Sequence, residues 1–156
     1  MFNKVLVANR GEIARRIFLA CRELGVGSVA VYSDADRDAA WVRAADESYH
    51  LPGVTAAETY LRQTAVLDIA QSCGAEAIHP GYGFLSENAD FAAACAERGL
   101  TFIGPGPEAM RVMGSKAASR ELAQAAGVPV VPGVDGAGMS PAQLAAAAEA
   151  IGYPVL

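Results

Sequence analysis

Along the first hundred residues, short continuous apolar runs alternate with longer segments whose apolar residues recur every three or four positions. "KVLVA" (4–8), "SVAVYS" (28–33), a short "SYHL" (48–51), "EAIH" (76–79) and "TFIG" (101–104) read as strands. Between them, "GEIARRIFLACRELG" (11–25) sets Ile13, Ile17, Cys21 and Leu24 near helical spacing. Arg15, Arg22 and Glu23 lie largely opposite, and Gly25 is a natural stop. "AETYLRQTAVLDIAQSCG" (57–74) carries Leu61, Ala65, Ile69 and Cys73 four apart, and "NADFAAACAERG" (88–99) is a further helix. Continuous apolar strands alternating with helices predict an α/β fold, a parallel sheet covered on both faces.

The pattern changes near Gly114. From there it predicts a helix over 115–126, an irregular "GVPVVPG" (127–133), a small-residue loop, an Ala-rich helix over 140–150 and the apolar opening of a strand in "GYPVL" (152–156). Ser115 reads as a helix N-cap and Gly127 as a stop that Pro129 enforces. A strand cut at its apolar start leads us to expect a piece of a longer protein.

Composition narrows the function classes. A chain that is 53% hydrophobic and 19% charged can bury a core, which sets it apart from disordered sequences. A net charge of -5 speaks against a nucleic-acid partner, which calls for a basic face. No apolar run approaches the ~20 residues that cross a bilayer, and the N-terminus carries no signal-peptide pattern, so a cytoplasmic location without membrane partner is expected. Cys21, Cys73 and Cys95 stand far apart beside apolar neighbours, as buried reduced thiols do.

In an open α/β sheet, ligands bind at the carboxyl ends of the strands. Three polar clusters fall there: "ANRGE" after the first strand, "SDADRD" after the second and "HPGYGFLSEN" (79–88) after the strand at 76–79. A dinucleotide site needs Gly-x-Gly-x-x-Gly between the first strand and helix. That turn, "NRGEIA", has one glycine, although Asp34 stands about where a ribose-binding acid would. "GVGSVA" (25–30) runs from helix to strand, the reverse of the required order, and the two prolines of "GPGPEA" (104–109) remove amides that would bind phosphate. Lys116, in the first turn of the predicted helix over 115–126, is either a solvated surface lysine or a phosphate contact. In "HPGYGFLSEN", His79 is expected to serve the base of the loop and Phe84 to anchor it in the core.

"VLVANRGEIARRI", "HPGYGFLSEN" and "MGSKAASRELAQAAGVPVVPG", in this order, resemble the N-terminal region of biotin carboxylases of the acetyl- or propionyl-CoA carboxylase type and of pyruvate carboxylase, over essentially all 156 residues. The resemblance implies a Rossmann-like pre-ATP-grasp domain over 1–113 without a dinucleotide site, followed over 114–156 by the truncated start of an ATP-grasp domain. It implies a ligase that uses ATP, Mg2+ and bicarbonate to carboxylate biotin on a carrier protein. Lys116 would contact ATP phosphate; Tyr82 and Gly83 would lie beside biotin; Glu87 and Asn88 would support the same loop. No metal ligand and no catalytic group is implied within these residues: the magnesium ligands would lie beyond Leu156, so the chain alone is expected to be inactive. A biotin carboxyl carrier domain and a carboxyltransferase subunit are the implied partners. A homodimer through the N-terminal domain is implied too, with Arg16, Leu19 and Glu23 as candidate contacts. Other ATP-grasp ligases of the carbamoyl-phosphate or purine-pathway type, and a non-catalytic nucleotide-binding module, are the alternatives.

Overall fold

The computed structural model describes residues 1–155. Five strands, β1 (Lys4–Val7), β2 (Gly27–Tyr32), β3 (Glu47–His50), β4 (Ala77–His79) and β5 (Thr101–Phe102), form one sheet in the order β3-β2-β1-β4-β5. Every pairing is parallel, with Leu6 opposite Val29 on one side and Ile78 on the other. The central strand is the most apolar because both its faces are covered: Val5, Leu6 and Val7 are all buried.

Period-two alternation divides the core. Leu6, Val29, Val31 and Ile78 face Val66, Leu67 and Ala70 of α2 (Gln63–Ser72) and Phe91 and Cys95 of α3 (Ala89–Glu97). Val5, Val7, Ala30 and Ala77 face Ala14, Ile17, Phe18 and Cys21 of α1 (Gly11–Glu23), together with Trp41 and Val42. The expected α/β class and the two covered faces are therefore what the chain adopts. The three cysteines are buried and unpaired, and burial pushes the Cys95 thiol up to about 11.

Three local expectations are corrected. The helix expected from residue 57 starts at Gln63. Ahead of it, the Glu58 carboxylate accepts from the N–H groups of Val54 and Thr55 at 3.1 and 2.9 Å, and the hydroxyl of buried Tyr60 donates to Asp36 at 2.6 Å. These bonds hold 54–62 in turns. Second, α4 (Pro107–Gly114) forms where no helix was foreseen. Pro107 opens it with the pre-set φ that suits a first helical position, and Glu108 and Arg111 complement its dipole. Third, residues 152–155 form no strand, and Leu156 lies outside the described residues.

The chain divides into two compact units, Met1–Arg111 and the residues from Val112 onward. In the second, Ser115 caps α5 (Lys116–Ala125), and Ser140 and Gln143 form a capping box on α6 (Pro141–Ile151). Neither α5 nor α6 has a buried residue. Little apolar area opposes their opening, so their amides are expected to exchange at least roughly a hundredfold faster than those of β1 and β2 in native-state hydrogen exchange. Equal protection would show that the second unit is as stable as the sheet.

Candidate functional site

Chain order runs outward from β1 in both directions across the sheet, to β2 and β3 on one side and to β4 and β5 on the other. The loops that follow β1 and β4 therefore part from each other at their carboxyl ends, and a crevice opens between them. It is a cleft of about 340 Å³ lined by Asn9, Arg10, Gly11, Glu12, Ile13, Tyr82, Gly83 and Phe84.

Asn9 is the keystone of this crevice. It is 3% exposed, and its Nδ2 donates to the carbonyls of Pro80 at 2.7 Å and Tyr82 at 2.8 Å while its Oδ1 accepts from the Arg10 N–H at 2.9 Å. The 80–82 backbone is thereby held to the end of β1. Gly81 (φ 66°) must be glycine twice over: its backbone is left-handed, and a Cβ there would stand 2.6 Å from Asn9 Nδ2. His79 works at the loop base, as expected: its Nδ1 accepts from the Gly81 N–H at 3.0 Å, and burial keeps the ring below its usual value of 6.5.

The aromatic residues of the loop divide their tasks. Phe84 stacks on Tyr60 with ring centroids 5.2 Å apart, although its own φ of 45° costs it roughly 1–2 kcal/mol. Tyr82 is 62% exposed and stands on the cleft wall. Its hydroxyl donates to Glu12 Oε1 at 2.5 Å, which raises the phenol's pKa and lowers that of the carboxylate. Gly83 has φ 66°, and a Cβ on it would meet no atom within 4 Å outside the adjoining residues. Glu87 is exposed, and Asn88 caps α3 by accepting the Phe91 N–H at 2.8 Å.

Beneath this wall the three polar clusters meet. Arg10 Nε donates to Asp36 Oδ2 at 2.7 Å, with a second bond from the same guanidinium, and Tyr60 and Ser33 donate to the same carboxylate. The guanidinium holds the Asp36 carboxyl below its ordinary 3.8, while burial and then the bond to Asp36 push Tyr60 up to about 12. An unfolded chain binds that proton first as pH falls, so the stabilisation is complete above about pH 4 and is lost as pH drops through the lower folded value. Asp36→Asn is expected to destabilise residues 1–156 at pH 7 by about 1.5–3 kcal/mol in urea unfolding, with the difference shrinking below pH 4. A pH-independent difference would show that the carboxylate's charge contributes nothing.

Lys116 lies in the other unit, exposed in the first turn of α5, in a cleft of about 270 Å³ shared with Arg120, Glu121, Gln124 and Asp135. Asp34 is occupied by Arg37 of its own turn and by the end of β3, contacting His50 and accepting from the Gly53 N–H at 2.9 Å. Leu19 is 39% exposed and lines a separate cleft with Arg15, Arg22 and Arg43. Among the described residues, no group of three or more His, Cys, Asp or Glu is placed to hold a metal, and no helix is long and apolar enough to cross a membrane. Sequence reasoning drew attention to "ANRGE" without giving Asn9 or Glu12 a task. An Asn directly after a buried strand, where a solvated turn residue would otherwise stand, was the available signal.

Comparison with known proteins adds the family. Residues 1–110 match the biotin carboxylase N-terminal domain. The chain is 59% identical over 153 residues to the mitochondrial methylcrotonoyl-CoA carboxylase subunit alpha of Oryza sativa subsp. japonica, covering 98% of this chain and 21% of that protein. It is 51% identical to the biotin carboxylase of Halalkalibacterium halodurans over 100% of this chain and 34% of that one. The biotin carboxylase domain dimer of Hydrogenobacter thermophilus 2-oxoglutarate carboxylase, solved with MgADP, ADP and bicarbonate, superposes with a TM-score of 0.91 at 51% identity, over 99% of this chain and 34% of that one. The chain thus spans about a fifth to a third of the length of these relatives.

Proposed function

The chain belongs to the biotin carboxylase family through its N-terminal domain, and from that premise we propose that it is the N-terminal part of an ATP- and bicarbonate-dependent ligase that carboxylates biotin on a carrier protein, within a cytoplasmic acyl-CoA carboxylase. Residues 1–113 are the pre-ATP-grasp domain and 114–156 begin the ATP-grasp domain. Tyr82 and Gly83 line the biotin site, Glu87 and Asn88 support their loop, and Lys116 contacts ATP phosphate. Mg2+ is held by residues outside this chain. The partners are a biotin carboxyl carrier domain, a carboxyltransferase subunit and a second copy of the same protein.

The observation that carries this reading is the cleft at the switch point of a family-typical sheet, with an exposed aromatic and a left-handed glycine on its wall. A glycine lets backbone approach a flat ring closely, and a tyrosine offers it an apolar face and a hydroxyl. Biotin is such a ligand, neutral with an apolar bicycle and polar edges. The test is ADP release by the full-length protein given MgATP, bicarbonate and free biotin. Release that requires bicarbonate and rises with biotin is expected; release indifferent to both would sink the reading.

A further inference from the structure

The ring of Tyr82 is poorly held by packing. It is 62% exposed, and the aromatic contact of its loop belongs to Phe84 instead. Asn9 fixes the main chain at residue 82 but leaves the side-chain torsions free. Among the described residues, the hydroxyl has one side-chain partner, Glu12, at 2.5 Å. Glu12 itself stands in the first turn of α1, where the helix dipole favours a carboxylate, and α1 is anchored in the core by Ala14, Ile17, Phe18 and Cys21. A helix anchored in the core thus presents a carboxylate acceptor across the crevice to a ring with no other side-chain partner for its hydroxyl among the described residues.

We infer that Glu12 is a positioning residue that sets the Tyr82 ring as a preformed wall for the flat bicycle of biotin, through the hydrogen bond its carboxylate accepts from the Tyr82 hydroxyl. The inference rests on the biotin carboxylase reading above. A ring ordered before the ligand arrives spares binding the loss of two torsional freedoms. In this role Glu12 acts on the ligand through Tyr82 and takes no part in the chemical step. Removing it therefore weakens biotin binding without altering the chemical step.

The test compares Glu12→Ala, Glu12→Gln, Tyr82→Phe and the Glu12→Ala/Tyr82→Phe double variant in the full-length protein, with free biotin as the varied substrate. Glu12→Ala is expected to raise KM for biotin about three- to tenfold with kcat nearly unchanged. Tyr82→Phe should act similarly, and the double variant should be no worse than the more affected single one, because the two side chains work as one pair. Glu12→Gln keeps an oxygen that accepts from the hydroxyl and should restore most of the wild-type KM. Single effects that multiply, or a KM unmoved by Glu12→Ala in a protein whose wild type is active, would overturn this inference alone. So would a fall in kcat together with a rise in KM that Glu12→Gln fails to rescue. A wild type without biotin-dependent carboxylation would overturn both this inference and the reading beneath it.

Discussion

Gly83→Val in the full-length protein is expected to lower biotin carboxylation by roughly tenfold or more, and by far more than it lowers bicarbonate-dependent ATP cleavage in the absence of biotin. Gly83 sits at φ 66°, where a side chain costs about 1–2 kcal/mol and a β-branched one is worst placed. That strain weakens the loop in free and liganded protein alike, so the selective loss, about 1.4 kcal/mol for each factor of ten, comes from the space the side chain takes. Beyond the adjoining residues 82 and 84, no protein atom lies within 4 Å of the new Cβ. The valine therefore projects into the open cleft beside Tyr82, into the space assigned to the ligand, and not into the core. That separates the two activities. If both fell together with the melting temperature, the loop would be a structural element and not a ligand wall.

Lys116→Ala should raise the apparent KM for ATP roughly ten- to a hundredfold, and that for bicarbonate much less. A hydrogen bond between charged partners is worth about 1.5–3 kcal/mol, which sets that range. The lysine is exposed in the first turn of α5, where the helix dipole disfavours a cation by up to about 1 kcal/mol. An anion alongside would relieve that cost. An unchanged KM for ATP would show a solvated surface residue. Residues 1–156 by themselves are expected to bind MgATP no tighter than about millimolar in isothermal titration. A single exposed charge contact contributes at most ~1 kcal/mol against the several kcal/mol needed to immobilise a ligand. Micromolar binding would place the nucleotide site within these residues and overturn its assignment to a longer protein.

The sheet was legible because its signal is local and repeated. Strands such as "KVLVA" are apolar throughout since both faces are covered, and Ser115 announces its helix by a side chain that can accept a backbone N–H. What escaped the pattern depends on distant partners. The stretch before Gln63 has helical spacing, yet Tyr60 is drawn to Asp36, 24 positions earlier, and the helix starts late. The pairing of Glu12 with Tyr82 joins residues 70 apart, and nothing in either neighbourhood specifies the other. Resemblance supplied Tyr82 and Gly83 as candidates; only the folded chain shows what steadies the ring. In α4, the start signal of Pro107 with Glu108 was present, but the preceding glycines and proline masked it as a loop.

The contact between Asn9 and Gly81 sets a rule for redesigning this loop. Any residue larger than glycine at 81 displaces the amide that ties the loop down, and any residue unlike asparagine at 9 leaves two carbonyls without their donor. A combinatorial library that randomised either position singly would consist mainly of loops adrift from the sheet, whatever ring it was meant to select. Diversity aimed at accepting a different flat ligand belongs at 12 and 82, whose side chains border the open cleft, with 9 and 81 held constant as a single pair.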